Sequence, residues 1–383
     1  MKGDSRGKTG ALGAALYAAA VLFLPFVRYR PNRILTGEAY RLTDLTSSGG
    51  LPALILLLIL AGAFLFLLIR GSALRALLSL SAACAPLFIL AWCSALPAFS
   101  GETARISIGS GFWTAMAASL MMLWDSGAGK KVRWLYLAAL AAATALLLSG
   151  GFDTLSLLRE YAARREAFFS QSGRHLALAA TSTAAAAGAG ILLSFLLFSR
   201  KKLKRPVFFL VNLAQTIPTL SLLGLLMALL AWLSTNSALL KGWGISGVGF
   251  WPAWIALFLY AIFPVLNNTL AGLSMADPAA VETASSLGMT GRQVFLKVQL
   301  PLAVPLILGG IRTAFTQGMG NAILAALIGG GGLGSFIFLG LAQSAPDLIL
   351  LGTIPLIALT ILMDALLGGA VKLTERRWRH DSG

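Results

Sequence analysis

Two charged residues, Arg312 and Asp364, stand inside runs that are otherwise apolar. Counted along their runs, they lie about 15 and about 10 Å from the same surface at the rise of a helix. A charge at such depth needs a partner or a wet cavity. Two arrangements follow: the residues pair, or Arg312 reaches the surface alone while Asp364 faces a cytoplasmic cavity. Other polar residues recur nearby in the second half of the chain. Gln215, Thr216, Pro218 and Thr219 interrupt one run; Tyr260, Pro264, Asn267 and Asn268 mark another; Thr313, Thr316, Gln317 and Asn321 follow Arg312. A proline in mid-span frees a backbone carbonyl that Thr or Gln can satisfy, either lining a cavity or simply kinking a packing helix. These residue types can pass a polar solute, and they are poor at covalent chemistry. The core has no paired carboxylates and no Ser-His or Cys-His arrangement, so no catalytic residues are expected. His175 and His380 lack metal-ligand neighbours, and no metal site is expected. Cys84 and Cys93 sit about 13.5 Å apart along one helix, too far for a disulfide.

A second constellation runs from Asp277 to Pro301, DPAAVETASSLGMTGRQVFLKVQLP. Asp277 is a good N-cap and Pro278 suits the first helical position. That helix can run to Leu287, where Gly288 fits a left-handed closing position. Thr290 and Gln293 form a capping box that starts a second short helix reaching about Gln299. Pro301 then forces a fresh start. The expected form is helix, glycine corner, helix, between two membrane spans.

The elements that must hold these residues are membrane helices. Hydrophobic residues make up 57% of the 383, charged residues 11%, and mean hydropathy is +0.82. Soluble proteins carry about 25% charged residues, so the chain reads as an all-α polytopic membrane protein. About ten spans are expected: 11–27, 51–69, 76–97, 106–124, 134–150, 176–198, 206–232, 250–273, 302–328 and 348–371. With both termini cytoplasmic, about twice as many basic residues fall inside as outside, as the positive-inside rule requires. That bias accounts for much of the +16 net charge, so nucleic acid is not expected as a partner. The basic patch at Arg28–Arg33 is an exception on the outer side. Residues 42–50 read as a loop, and 153–171 as an amphipathic surface helix. The first five spans are Leu- and Ala-rich and carry no chemistry. The division expected is an accessory membrane domain at 1–173 and a transport core of about five helices at 174–383.

The loop resembles the EAA loop of ABC-importer permeases. Glu282, Thr283, Ala284, Gly288, Leu300 and Pro301 follow its E-A-A-x-x-x-G…L-P pattern, with Thr283 for the usual alanine and Val298 for the usual isoleucine. In that family the loop is the cytoplasmic coupling helix, which sits in a cleft of the ATPase subunit. Three further stretches are similar to the permeases of osmoprotectant importers, which carry glycine betaine, choline, carnitine and related quaternary amines. They are QTIPTLSLL at 215–223, LYAIFPVLNNTLAGL at 259–273, and GGIRTAFTQGMGNAILAALIGGGGLG at 309–334. The resemblance covers about half the chain; the N-terminal spans look like an enlarged branch of the family.

The resemblance implies a bacterial inner-membrane subunit that works by alternating access. Its partners would be ATPase subunits, a substrate-binding protein outside, and a second permease, either an identical copy or a paralogue. ATP and Mg would be bound by the ATPase, leaving no cofactor in this chain. Gln215, Thr216, Pro218, Thr219, Tyr260, Pro264, Asn267, Asn268, Arg312, Thr316 and Asn321 would line the translocation pathway. Tyr260 and Phe315 offer aromatic faces to a quaternary ammonium. The run at 329–334, GGGGLG, reads as a flexible outer turn where the binding protein docks. Gly3–Thr9 has three residues between its glycines where a P-loop needs four. An ABC permease for amino acids, an ion-coupled secondary transporter and a structural membrane scaffold are the rival readings.

Overall fold

In the computed structural model the described residues are 2–32, 37–45, 51–69, 72–96, 99, 104–126, 152 and 154–380. The expected span 134–150 lies outside them, as do Arg33, Arg70, Lys130, Lys131 and Arg133. The chain divides into two compact units, Met1–Ala163 and Arg164–Gly383. That division falls ten residues before the expected one. The segment 153–171, read as one surface helix, is divided: a short helix covers Ser156–Ala163, and Arg165 opens a 35-residue helix.

The first unit contains α1 (Lys2–Phe23), α2 (Leu42–Leu45), α3 (Leu51–Leu68), α4 (Ser72–Ala95), α5 (Ser110–Ser126) and α6 (Ser156–Ala163). It also holds a sheet that the all-helical reading did not include: β1 (Pro25–Arg30), β2 (Glu38–Arg41) and β3 (Arg105–Ile108), in the order β2-β1-β3, both pairs antiparallel. Arg28 and Arg30, read as a loop patch, belong to β1. Phe26 and Val27 of that strand are fully buried, Phe26 edge-on to Phe112. The expected span 106–124 therefore begins as a strand, and its helix α5 has 17 residues. Residues 42–45 form a helical turn where a loop was expected. Gly13 brings α1 close to Ala118, Met121 and Met122 of α5, and Gly3–Thr9 is part of α1 itself. Tyr17 is buried with its hydroxyl donating to the Ala82 carbonyl at 2.8 Å.

The second unit is helical: α7 (Arg165–Ser199), α8 (Lys204–Thr216), α9 (Thr219–Asn236), α10 (Ala238–Gly242), α11 (Phe250–Leu273), α12 (Pro278–Ser286), α13 (Gly291–Val294), α14 (Leu300–Asn321), α15 (Gly334–Ala342) and α16 (Pro346–His380). Helix α11 is the hub, packing against both α7 and α14. Small residues allow the approach. A Cβ on Gly190 would stand 2.9 Å from Val265, one on Gly310 2.9 Å from the Pro264 carbonyl, and one on Gly272 3.0 Å from the Ala303 carbonyl. Close backbone packing of this kind is how apolar helices associate where lipid supplies no hydrophobic drive.

Among the described residues six helical stretches are long and apolar enough to cross a membrane: Ser72–Ser94, Arg165–Ser199, Thr219–Asn236, Phe250–Leu273, Gly291–Ile328 and Pro346–Glu375. Gly7–Phe23 and Leu54–Leu68 are shorter apolar helices. The expected span 206–232 is two helices, because the chain is extended at Ile217–Pro218. Pro301 does not force a fresh start: a π turn at Phe295–Gln299 joins α13 to α14. Proline lacks an N–H and crowds the carbonyl four residues back; widening the turn ahead of it accommodates both.

Candidate functional site: a capped loop and a polar cavity

The loop has the form its capping residues dictate. Asp277 accepts from the Ala279 amide at 2.9 Å, and Pro278 takes the first turn of α12. The helix closes through Leu287 with two reverse bonds, Gly288 N–H to the Ser285 carbonyl at 3.0 Å and Met289 N–H to the Ala284 carbonyl at 3.2 Å. That is the Schellman pattern, and Gly288 holds it at φ +84. Nothing lies within 4 Å of where its Cβ would be, so backbone conformation alone demands glycine. The capping box is complete: the Thr290 amide donates to Gln293 Oε1 at 2.8 Å, and the Gln293 amide to Thr290 Oγ1 at 3.4 Å. Glu282 and Thr283 are exposed and Ala284 is buried. Leu287, 78% exposed at the corner, is a large apolar side chain offered outward. Leu300 and Pro301 are half-buried at the start of α14.

A polar cavity of about 470 Å³ is lined by Asn268 of α11, by Gly309, Arg312, Thr313, Thr316 and Gln317 of α14, and by Asp364 and Val371 of α16. Arg312 and Asp364 pair in it through two parallel bonds, Nε to Oδ1 at 2.6 Å and Nη2 to Oδ2 at 2.5 Å. Of the two arrangements open from sequence, the paired one is present. Thr316 Oγ1 lies 3.0 Å from the Arg312 carbonyl and 3.4 Å from Asp364 Oδ1. Both charged side chains keep more than a third of their surface exposed, 39% for Arg312 and 36% for Asp364. Gly368, one turn beyond Asp364, leaves the guanidinium its place, since a Cβ there would stand 3.0 Å from Nη1. Gly309 and Gly368 were not singled out from sequence. The available signal was a glycine one helical turn from a charged or hydroxyl residue on α16 and α14.

The remaining polar residues form a brace. Pro264 has no N–H to give the Tyr260 carbonyl four residues earlier, and Gln215 Nε2 donates to that carbonyl at 2.8 Å. In return the Tyr260 hydroxyl donates to the Ile217 carbonyl, at the break before Pro218. Each proline exposes backbone that the other helix satisfies. Asn268 Nδ2 caps the Pro264 carbonyl at 2.8 Å. Tyr260 and Phe315 are each 8% exposed and are not among the residues that line this cavity. Thr216 and Asn267 are exposed, Thr219 and Asn321 half-buried, and none of these four lines the cavity. Of the expected pathway residues, the cavity gathers Asn268, Arg312 and Thr316.

The glycine run is not an exposed turn. Gly330–Gly334 are buried, with Gly329, Gly331 and Gly332 at φ +75, +76 and +92. Gln171 Oε1 accepts from the Gly332 amide at 2.6 Å, and a Cβ on Gly332 would stand 2.9 Å from His175 Nδ1. His175 is fully buried, its Nε2 3.0 Å from the Met319 carbonyl. The run is a packed corner against α7.

Residues 186–380 match the family model described as "Binding-protein-dependent transport system inner membrane component". Residues 6–158 match "ABC transporter permease YehY, N-terminal domain". The chain is 35% identical over 207 residues to the glycine betaine/carnitine/choline transport system permease protein OpuCB of Bacillus subtilis (strain 168), covering 54% of this chain and 86% of that one. It is 37% identical over 178 residues to the choline transport system permease protein OpuBB of the same organism, covering 46% and 75%. It is 34% identical over 194 residues to the osmoprotectant import permease protein OsmW of Salmonella typhimurium, covering 51% and 85%. Helices of membrane-spanning length and these matches make the chain a multi-pass inner-membrane transport component, not an enzyme. It belongs to the family of binding-protein-dependent transport system inner membrane components.

Proposed function

We propose that the chain is the membrane-spanning subunit of an ABC importer for a quaternary-amine osmolyte of the glycine betaine, choline or carnitine kind. The observation that carries this reading is the similarity of residues in the second unit to permeases so named. The loop Asp277–Pro301 supports the coupling role: it is doubly capped, and it presents Glu282 and Leu287 outward. Its docking partner would be an ATPase subunit that binds ATP and Mg. A substrate-binding protein would deliver solute from outside, and a second permease subunit would complete the pathway. Residues 174–383 would form the transport core and 1–173 an accessory domain, with both termini cytoplasmic. An ion-coupled carrier needs charged groups free to load and release ions; in the solute-free cavity Arg312 and Asp364 neutralise each other.

The test is growth. In a bacterial host lacking osmolyte uptake, co-expression of this chain with its ATPase and binding protein should restore growth at high salt when glycine betaine is supplied. Rescue by an amino acid, with none by any quaternary amine, would overturn the reading.

A further inference from the structure

The Arg312–Asp364 pair lies in the wall of an open polar cavity, and these are the only charges among the described residues that line it. Resting on the osmolyte reading above, we infer that the pair is a solute site that works by ion-pair exchange and selects zwitterions over cations. With the site empty, each charge neutralises the other through the two-point contact. A solute carrying a carboxylate and a quaternary ammonium can enter by taking both roles. Its carboxylate accepts the planar guanidinium fork of Arg312, the geometry a carboxylate fits best. Its ammonium has no N–H and offers Asp364 charge alone, while Thr316 Oγ1 stays 3.4 Å from Asp364 Oδ1 as a residual donor. The wall is neutral before and after. A simple cation can replace only Arg312, leaving a guanidinium without its counter-ion and the wall with one uncompensated positive charge. Asn268, Thr313 and Gln317 supply polar groups around the exchange without adding charge. Arg312 has a long side chain and Gly368 gives no Cβ to pin it, so the fork can swing off Asp364 and return.

The test uses the assembled complex of permease, ATPase and binding protein in proteoliposomes, and reads glycine betaine moved per ATP hydrolysed. Arg312→Gln with Asp364→Asn removes both charges and leaves neutral polar side chains in their places, the asparagine of the same shape and the glutamine shorter. The expected result is a fall of at least tenfold in solute moved per ATP, because solute released by the binding protein is no longer held. A pair that only holds helices together would lower uptake and hydrolysis alike, and an unchanged ratio overturns the inference. Should that variant fail to assemble, Asp364→Glu decides. It keeps both charges and the pair but fills the ammonium's place with one methylene, and the ratio should fall at least threefold; no fall overturns the inference. Betaine uptake by the wild-type complex with an unchanged ratio in the variants removes the exchange and leaves the osmolyte reading standing. Wild-type uptake of choline without glycine betaine or carnitine removes the exchange alone, and no wild-type uptake of any of the three removes both.

Discussion

Among the described residues each unit of this chain holds an arginine–aspartate pair, and the two differ in what surrounds them. In the first unit Arg75 of α4 meets Asp125 of α5, whose side chain is 1% exposed. Gly10 of α1 presses on them so closely that a Cβ there would stand 2.2 Å from Asp125 Oδ2. The Arg75 guanidinium lies 4.4 Å from the centre of the Phe66 ring, a cation–π contact that partly replaces water. Arg75 Nε and Asp125 Oδ1 have no hydrogen-bond partner among the described residues. In the second unit Arg312 and Asp364 make the fuller, two-point contact and yet face a cavity. In the first pair the aspartate is sealed, the arginine is 19% exposed and the contact is incompletely satisfied; the second pair is open and well satisfied. A sealed pair can only hold helices, whereas an open pair between helices can be entered by solute.

That contrast can be broken in several ways. The largest effect belongs to Asp125→Ala, which strands the largely buried guanidinium of Arg75. Removing one partner of a buried pair costs roughly 3–5 kcal/mol, so the variant should be lost from the membrane or melt far below wild type when its Tm is read in detergent. Replacing both residues with Leu and Met should recover most of that loss; no recovery would give the sealed pair a role beyond packing. Next is Gly10→Ala, which drives a methyl into the pair. Overpacking costs about 1–3 kcal/mol, and a matching drop in Tm should appear. Gly368→Ala is the counterpart in the open pair. Its Cβ would stand 3.0–3.1 Å from a guanidinium with room to move, so Tm should change little while uptake falls about two- to fivefold. Equal Tm losses for Gly10→Ala and Gly368→Ala would erase the distinction between the pairs. The smallest effect is Tyr260→Phe, which leaves the Ile217 carbonyl without its donor. A destabilisation of about 0.5–1.5 kcal/mol, read as a slightly lower Tm, is expected, with solute moved per ATP unchanged.

How far each part could be read from sequence depends on the distance over which its cause acts. The loop was legible because its causes are local: Asp277, Gly288, Thr290 and Gln293 act within four residues. The meeting of Arg312 and Asp364 was legible as one of two arrangements, because depth along a helix is a linear count and an isolated charge is costly. The brace was half legible. The prolines announce freed carbonyls, but which side chain answers them is a matter of tertiary neighbours: Gln215 reaches Tyr260 in another helix. The sheet was missed because its strands have four to six residues and adjoin apolar helical runs, so PFVRYR resembles the end of a span with basic flanks. The buried glycine corner was missed for the opposite reason. Six residues with five glycines read as flexible, and only the contacts with Gln171, Arg174 and His175 make them a packed corner.

The most direct measurement is ATP-driven glycine betaine uptake by proteoliposomes holding the complete complex, with wild type and Gly288→Leu side by side. Gly288 touches no neighbour that a Cβ would displace, and its φ of +84 is the feature a leucine cannot comfortably adopt. The account predicts wild-type uptake that requires ATP and survives ionophores, and its loss in Gly288→Leu although the variant is present in the membrane at wild-type level. Uptake abolished by ionophores, or equal uptake by the two proteins, would contradict it.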